Sequence, residues 1–163
     1  MRTLVRPCPR LAKAVRGVLL ALGLSLAAVA ASADTPSSRL VERVLEVVND
    51  FRSEQGLTAL HPDESLVMLA DGHSRSMAQR HRLTHAGFDD RFDRANRTLC
   101  VENLAVNYRQ AEPLLGAWQA SPLHLANLLE PRVRLVGIAL VDGYLTLLAC
   151  TPPQAQMVAA RDR

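Results

Sequence analysis

Two apolar runs of similar length, residues 133–141 and 144–151, meet at Asp142-Gly143 near the end of the chain. Asp-Gly between such runs predicts a two-residue hairpin, because both turn residues must adopt positive φ. Upstream, the periodicity is helical. Leu40, Val41, Val44, Leu45, Val47, Val48 and Phe51 recur at three- and four-residue spacing, with Ser37 or Ser38 as N-cap and Gly56 closing the helix. Asp63 caps a second helix whose inner face carries Leu66, Leu69, Ala70, His73 and Met77, and which ends near Arg82. Residues 112–120 form a short helix with Leu114, Leu115 and Trp118 inward. Ser121-Pro122 breaks it and opens another, to Leu129. The run 101–106 is open between strand and helix, and residues 84–98 read as a long polar loop with at most a helical turn. Helices followed by a C-terminal hairpin imply an α+β fold, a small antiparallel sheet flanked by helices.

The N-terminus bounds the rest. Arg2, Arg6, Arg10, Lys13 and Arg16 precede an apolar run at 18–30 and the small-residue pattern Ala31-Ser32-Ala33. That is the grammar of a general secretory signal peptide, and the run is too short to span a bilayer. Residues 1–33 are therefore expected to be removed, 34–39 to be a linker, 40–152 the domain and 153–163 a loose tail. The product is periplasmic or secreted, with no stable membrane span. The arginine and alanine bias suggests a bacterial source. Five of the 19 basic residues and none of the 16 acids precede Asp34. The remainder holds 14 bases against 16 acids, a net charge of −2, so no basic surplus supports a nucleic-acid partner. Cys100 and Cys150 remain, and an oxidising compartment favours a disulfide between them over two buried thiols.

HExxH, GxSxG, CxxC and phosphate-binding glycine loops are all missing from the sequence. The candidates for chemistry are histidines and carboxylates. His85 follows Thr84 at the start of the polar stretch. Glu102 lies in an apolar run, where an ionised carboxylate needs a partner. His124 lies in a second apolar run. The other polar groups have plainer readings. His73 is a packed histidine on a helix face, and His61 is a solvated connector residue. His81 and His85 would make an i, i+4 pair only if the second helix ran through Leu83-Thr84. Trp118 packs in the core, and Asn103 and Asn127 satisfy backbone or loop groups. Asp89, Asp90 and Asp93, interleaved with Arg91 and Arg94, form a solvated charged loop without the oxygen spacing of a calcium site.

The ordered series Asn49-x-x-Arg52, Gly56-Leu57, Ala70-x-x-His73-Ser74-x-x-Met77-Ala78, Thr84-His85, Glu102-Asn103-Leu104-Ala105, Trp118-x-x-Ser121-Pro122-x-His124-x-x-Asn127-Leu128 and Val136-Gly137-Ile138 resembles the bacterial branch of the CAP superfamily, the SCP-like extracellular proteins. The resemblance implies an α-β-α sandwich with a central cleft lined by two histidines and usually two glutamates. In some members the histidines hold a divalent metal such as zinc. Carried over, the cleft residues are His85, Glu102 and His124, with Ser121 where a second glutamate would stand. Val101 replaces a common glycine, and Leu123 and Leu125 flank His124, which makes the cleft less polar.

Three functional expectations follow. The first is a binding module for a small apolar or amphipathic ligand or a cell-envelope component. The second is a metal-dependent hydrolase of peptide or envelope substrate, with His85 and His124 on the ion and Glu102 as catalytic base. The third is a protein-interaction scaffold using residues 84–98.

Overall fold

A computed structural model describes residues 35–153. Helix α1 (Pro36–Glu54) starts earlier than the apolar pattern. Thr35, not Ser37 or Ser38, is its cap, accepting a hydrogen bond from the Ser38 amide at 3.1 Å, with Pro36 in the first turn where its missing N–H costs nothing. The segment read as a linker thus belongs largely to this helix. The chain leaves α1 through Gln55 and Gly56, whose φ of +70° suits glycine. Strand β1 (His61–Pro62) follows, then α2 (Glu64–Arg80), capped by Asp63 through the Leu66 amide at 3.1 Å. Helix α2 stops at His81 in the left-handed conformation, which separates His81 from His85 as Leu83-Thr84 implied.

Residues 84–98 are not a long loop. Phe88–Ala95 form helix α3, entered through Gly87 at φ +74°. Its inner stripe is Phe88, Arg91 and Ala95, and an arginine in that stripe hides the amphipathic period. Strand β2 (Cys100–Val106) resolves the ambiguous run. Helices α4 (Ala111–Gln119) and α5 (Pro122–Leu128) follow, and β3 (Leu135–Val141) and β4 (Tyr144–Cys150) form the hairpin. Asp142 and Gly143 both have positive φ, 46° and 84°, as a type I′ turn needs.

The sheet order is β1-β3-β4-β2. It is antiparallel except at one edge, where the short β1 pairs in parallel with Leu135 and Val136. The sheet is therefore mixed rather than wholly antiparallel. Pro62 sits where a missing donor is tolerated. Residues of alternate parity face opposite layers. Val136, Ile138, Leu145, Leu147 and Ala149 pack under α1 and α4 with Val44, Val48, Leu114 and Trp118. On the other face, Leu148 and Cys150 pack with Leu66 and Leu69 of α2 and Ala95 of α3. The result is an α+β fold in three layers, α-β-α. At Gly137 the α2 backbone comes so close that a Cβ would fall on the Leu66 carbonyl. Asn49 exchanges hydrogen bonds with the Leu60 backbone at 2.8 and 3.0 Å. Buried Arg52 donates to the carbonyls of Thr58 and Leu128, at 3.0 and 2.7 Å. Cys100 and Cys150 are register partners on β2 and β4 and form a disulfide.

Candidate functional site

The site grows from β2, the sheet edge opposite β1. Period-two alternation turns Cys100 and Glu102 toward the α2–α3 layer, and Val101 and Asn103 the other way. The Glu102 side chain is only 2% exposed. A carboxylate buried this deeply needs compensation, and α3 supplies it. Arg91 reaches it from the helix's inner stripe, donating from Nε to Oε2 at 2.7 Å and from Nη2 to Oε1 at 2.8 Å. A further Arg91 nitrogen, Nη1, donates to the Ala86 carbonyl at 3.0 Å, which ties the pair to the turn that carries His85.

That turn is built locally. After His81 the chain doubles back, and the Thr84 hydroxyl accepts from the Ala86 amide at 3.1 Å. His85 is thereby aimed at the strand, and its Nδ1 donates to Glu102 Oε1 at 2.9 Å while the ring stays 55% exposed. His73 lies behind, buried on α2, and its Nε2 donates to the Thr84 carbonyl at 2.9 Å. It is the packed, satisfied histidine that its helical period implies. Burial first, and the Arg91 charge second, hold the His73 imidazole below its ordinary pKa.

Helix α5 lies along β2 and brings the second imidazole. Asn103 Nδ2 donates to the His124 carbonyl at 3.1 Å, and Asn127 Nδ2 donates to the Glu102 carbonyl at 3.0 Å and to Asn103 Oδ1 at 2.9 Å. Trp118 Nε1 donates to the Leu104 carbonyl at 3.0 Å. Two β2 carbonyls are thus satisfied by side chains from the adjoining helical segment, which covers an otherwise bare edge. Both asparagines have the backbone-satisfying role expected of them. The His124 ring itself makes no side-chain hydrogen bond among the described residues, and its pKa is lowered, first by burial and then by the nearby His85.

His85, Glu102, Ser121 and His124 line one cleft of about 610 Å³, whose apolar wall includes Phe88, Val101 and Leu123. Leu123 is 80% exposed at its rim. A smaller hollow of about 390 Å³, with Leu83, Leu104, Tyr108 and Trp118 in its wall, adjoins it, and His124 and Ser121 belong to both. Only His85 and Glu102 are directly bonded.

Arg91 is the site residue that sequence reasoning missed, since its neighbours read as a solvated loop. Two signals point to it. Phe88, Arg91 and Ala95 share one helical stripe, and a carboxylate inside an apolar strand demands a cation. Asp89, Asp90, Asp93 and Arg94 are solvated, as expected of that stretch.

Among the described residues no three histidine, cysteine or acidic side chains come together to hold a metal. The two imidazoles remain, since Glu102 spends both oxygens on Arg91 and His85. Structural and catalytic zinc sites ordinarily take at least three protein ligands, so this donor set does not fit a tightly held ion.

A profile of the CAP, or cysteine-rich secretory protein, family matches residues 45–147. The uncharacterized protein YkwD of Bacillus subtilis (strain 168) is 28% identical over 119 residues, 69% of this chain and 46% of that protein, so the chain spans less than half of its relative. Among solved structures, an extracellular protein containing an SCP domain from Bacillus anthracis str. Ames is similar with a TM-score of 0.67 at 24% identity, covering 71% of this chain and 41% of the other. A cysteine-rich secretory protein of Staphylococcus aureus subsp. aureus Mu50 gives 0.66 at 18% identity, covering 71% and 39%. An outer surface protein of Borrelia burgdorferi gives 0.63 at 18% identity, covering 69% and 92%. These structures share the fold, and the profile covers well over half of the sequence. The chain belongs to the CAP superfamily, the cysteine-rich secretory protein family.

Proposed function

We propose that this chain is an exported binding domain whose cleft takes a small amphipathic molecule or the amphipathic part of a cell-envelope component. The observation that carries the reading is an open hollow with an apolar wall, Phe88, Val101 and Leu123, facing one exposed imidazole whose Nδ1 is already committed to Glu102. Ligand sites commonly combine a largely apolar lining with a few placed polar groups. The smaller hollow beyond His124 and Ser121 offers a second apolar compartment to the same molecule. Export rests on the N-terminal segment, with residues 1–33 as the signal, 40–152 as the domain core and 153–163 as a tail; residues 1–34 and 154–163 lie outside the described residues. No helix among the described residues is long and apolar enough to cross a membrane.

The metal-dependent hydrolase has less support. Two imidazoles are a short donor set, and a catalytic base needs a carboxylate oxygen free to take a proton, whereas those of Glu102 are buried and engaged. The scaffold reading loses the long loop on which it rested.

The test uses protein exported from a bacterial host, with an intact mass expected for a chain beginning at Asp34. Octanol titrated into it should perturb the Leu123 methyl signals in NMR spectra. Leu123→Asp, at an exposed position, should fold normally and bind about tenfold more weakly, the effect of losing one or two buried methylenes. Equal binding by the variant, or no response of the cleft to octanol, would remove the reading. Zinc loading followed by chelation, run in parallel, is expected to leave octanol binding unchanged.

A further inference from the structure

We propose that Arg91 is a positioning residue that sets the hydrogen-bonding polarity of the cleft: through Glu102 it makes His85 present an acceptor, so the polar end of a bound molecule is a donor, a hydroxyl or an amine, rather than a carboxylate. The ligand half of this inference rests on the binding reading above; the Arg91 half does not.

The logic is one of donors and acceptors. A guanidinium only donates, and an ionised carboxylate only accepts. Arg91 gives Glu102 two charge-assisted bonds, to Oε2 at 2.7 Å and to Oε1 at 2.8 Å, in the side-on fork that lysine cannot reproduce. With its charge matched inside the fold, Glu102 is held as a pure acceptor. Whatever meets Oε1 from the cleft side must then donate, and the group that does so is His85 Nδ1, at 2.9 Å. His73 does not compete, since its Nε2 stands 4.0 Å from Oε1 and donates to the Thr84 carbonyl. In a neutral imidazole one ring nitrogen carries the proton and the other a lone pair. With that proton on Nδ1, Nε2 offers a lone pair. The ring is 55% exposed and lines the cleft, so this lone pair is available to a bound molecule. A carboxylate there would meet an acceptor, while a hydroxyl would be paired.

Glu102→Gln loosens the arrangement. The amide offers one acceptor oxygen where the carboxylate offers two, so Arg91 Nε, Arg91 Nη2 and the His85 Nδ1 proton compete for it. The ring is then no longer held to a single tautomer, and the cleft loses its fixed acceptor.

The experiment reads the histidine tautomers by long-range proton–nitrogen NMR on the exported protein in mildly alkaline solution, where the same spectra report whether each ring is neutral. Wild type should show His85 with the proton on Nδ1, and Glu102→Gln should lose that single tautomer. Arg91→Met should lose the single tautomer, and Arg91→Lys should restore part of it, with Trp118 fluorescence reporting that each variant is folded. Should Arg91→Met not fold, the charge-keeping Arg91→Lys still decides the matter, because a tautomer as fixed as in wild type would show that the two-bond fork does not set it. A wild-type His85 protonated on Nε2 overturns the inference, as does an Arg91→Met spectrum identical to wild type. In the ligand arm, octanol should bind wild type about tenfold better than octanoate, the effect of one unpaired hydrogen bond, and Glu102→Gln should weaken that preference. An octanoate preference in wild type overturns the ligand half. Correct tautomers with neither probe bound would leave Arg91 in its role and defeat the binding reading instead.

Discussion

At the scale of single residues, the Arg91–Glu102 pair and His73 carry the consequences of burial. Both members of the pair are nearly inaccessible, with side chains 8% and 2% exposed. Removing one leaves an uncompensated charge, which costs about 3–5 kcal/mol, whereas replacing both with apolar groups of similar volume is often neutral. Arg91→Met and Glu102→Leu alone should therefore each destabilise by that amount, while the double variant recovers most of the loss. Urea unfolding of the four proteins measures the coupling, and strictly additive losses would show that the pair is not a unit. His73 gives a pH dependence of defined sign. Its folded pKa lies below the unfolded value of about 6.5. As pH falls below that value, the unfolded chain takes up a proton that the folded site resists. This stability is present in full above about pH 6.5 and is lost as pH falls through the folded pKa. His73→Gln keeps a donor for the Thr84 carbonyl without titrating. It should lose less stability than wild type between about pH 7.5 and 5.5, and equal slopes in urea titrations would refute the assignment.

At the scale of elements, the approach of α2 to β3 is the tightest constraint. Val136-Gly137-Ile138 is written for it, because any side chain at the middle position meets the Leu66–Val67 backbone rather than a movable side chain. Gly137→Ala should destabilise by about 3 kcal/mol, the upper range for overpacking, seen as a lowered urea midpoint. An unchanged midpoint would mean that the two elements separate freely. Much of this level was legible in the sequence. Apolar periods of 3.6 located α1, α2 and α4, which each bury one regular face, whereas Ser121-Pro122 marked α5 and Asp142-Gly143 between two apolar runs marked the β3–β4 hairpin, whose strands are covered on both faces. Helix α3 was not legible, because its buried face includes Arg91, whose partner lies in another element. Nor was β1, which is too short for any period and exists only where β3 offers it a ladder.

At the scale of the whole molecule, the disulfide couples the site to the fold. Cys100 and Cys150 join the edge strand β2 to the interior strand β4 across 50 residues, two positions from Glu102. Replacing both cysteines by serine should cost about 2–5 kcal/mol in urea unfolding, and reductant should then have no further effect. A loss that reductant reproduces in wild type would confirm the bond as the cause, and an unchanged midpoint would count against it. The sequence by itself determined the helices with one regular apolar face, the hairpin at Asp142-Gly143 and the family, because these depend on local spacing and on an ordered series of motifs. It also marked His85, Glu102 and His124 as polar groups in need of partners. Only the tertiary structure decided what those partners are. Glu102 is answered by Arg91, His85 turns its Nδ1 inward, and His124 shares a cleft without sharing a bond. The physical reason is that a buried charge is compensated by whichever cation the packing of separate elements brings within reach, and distance along the chain does not encode that.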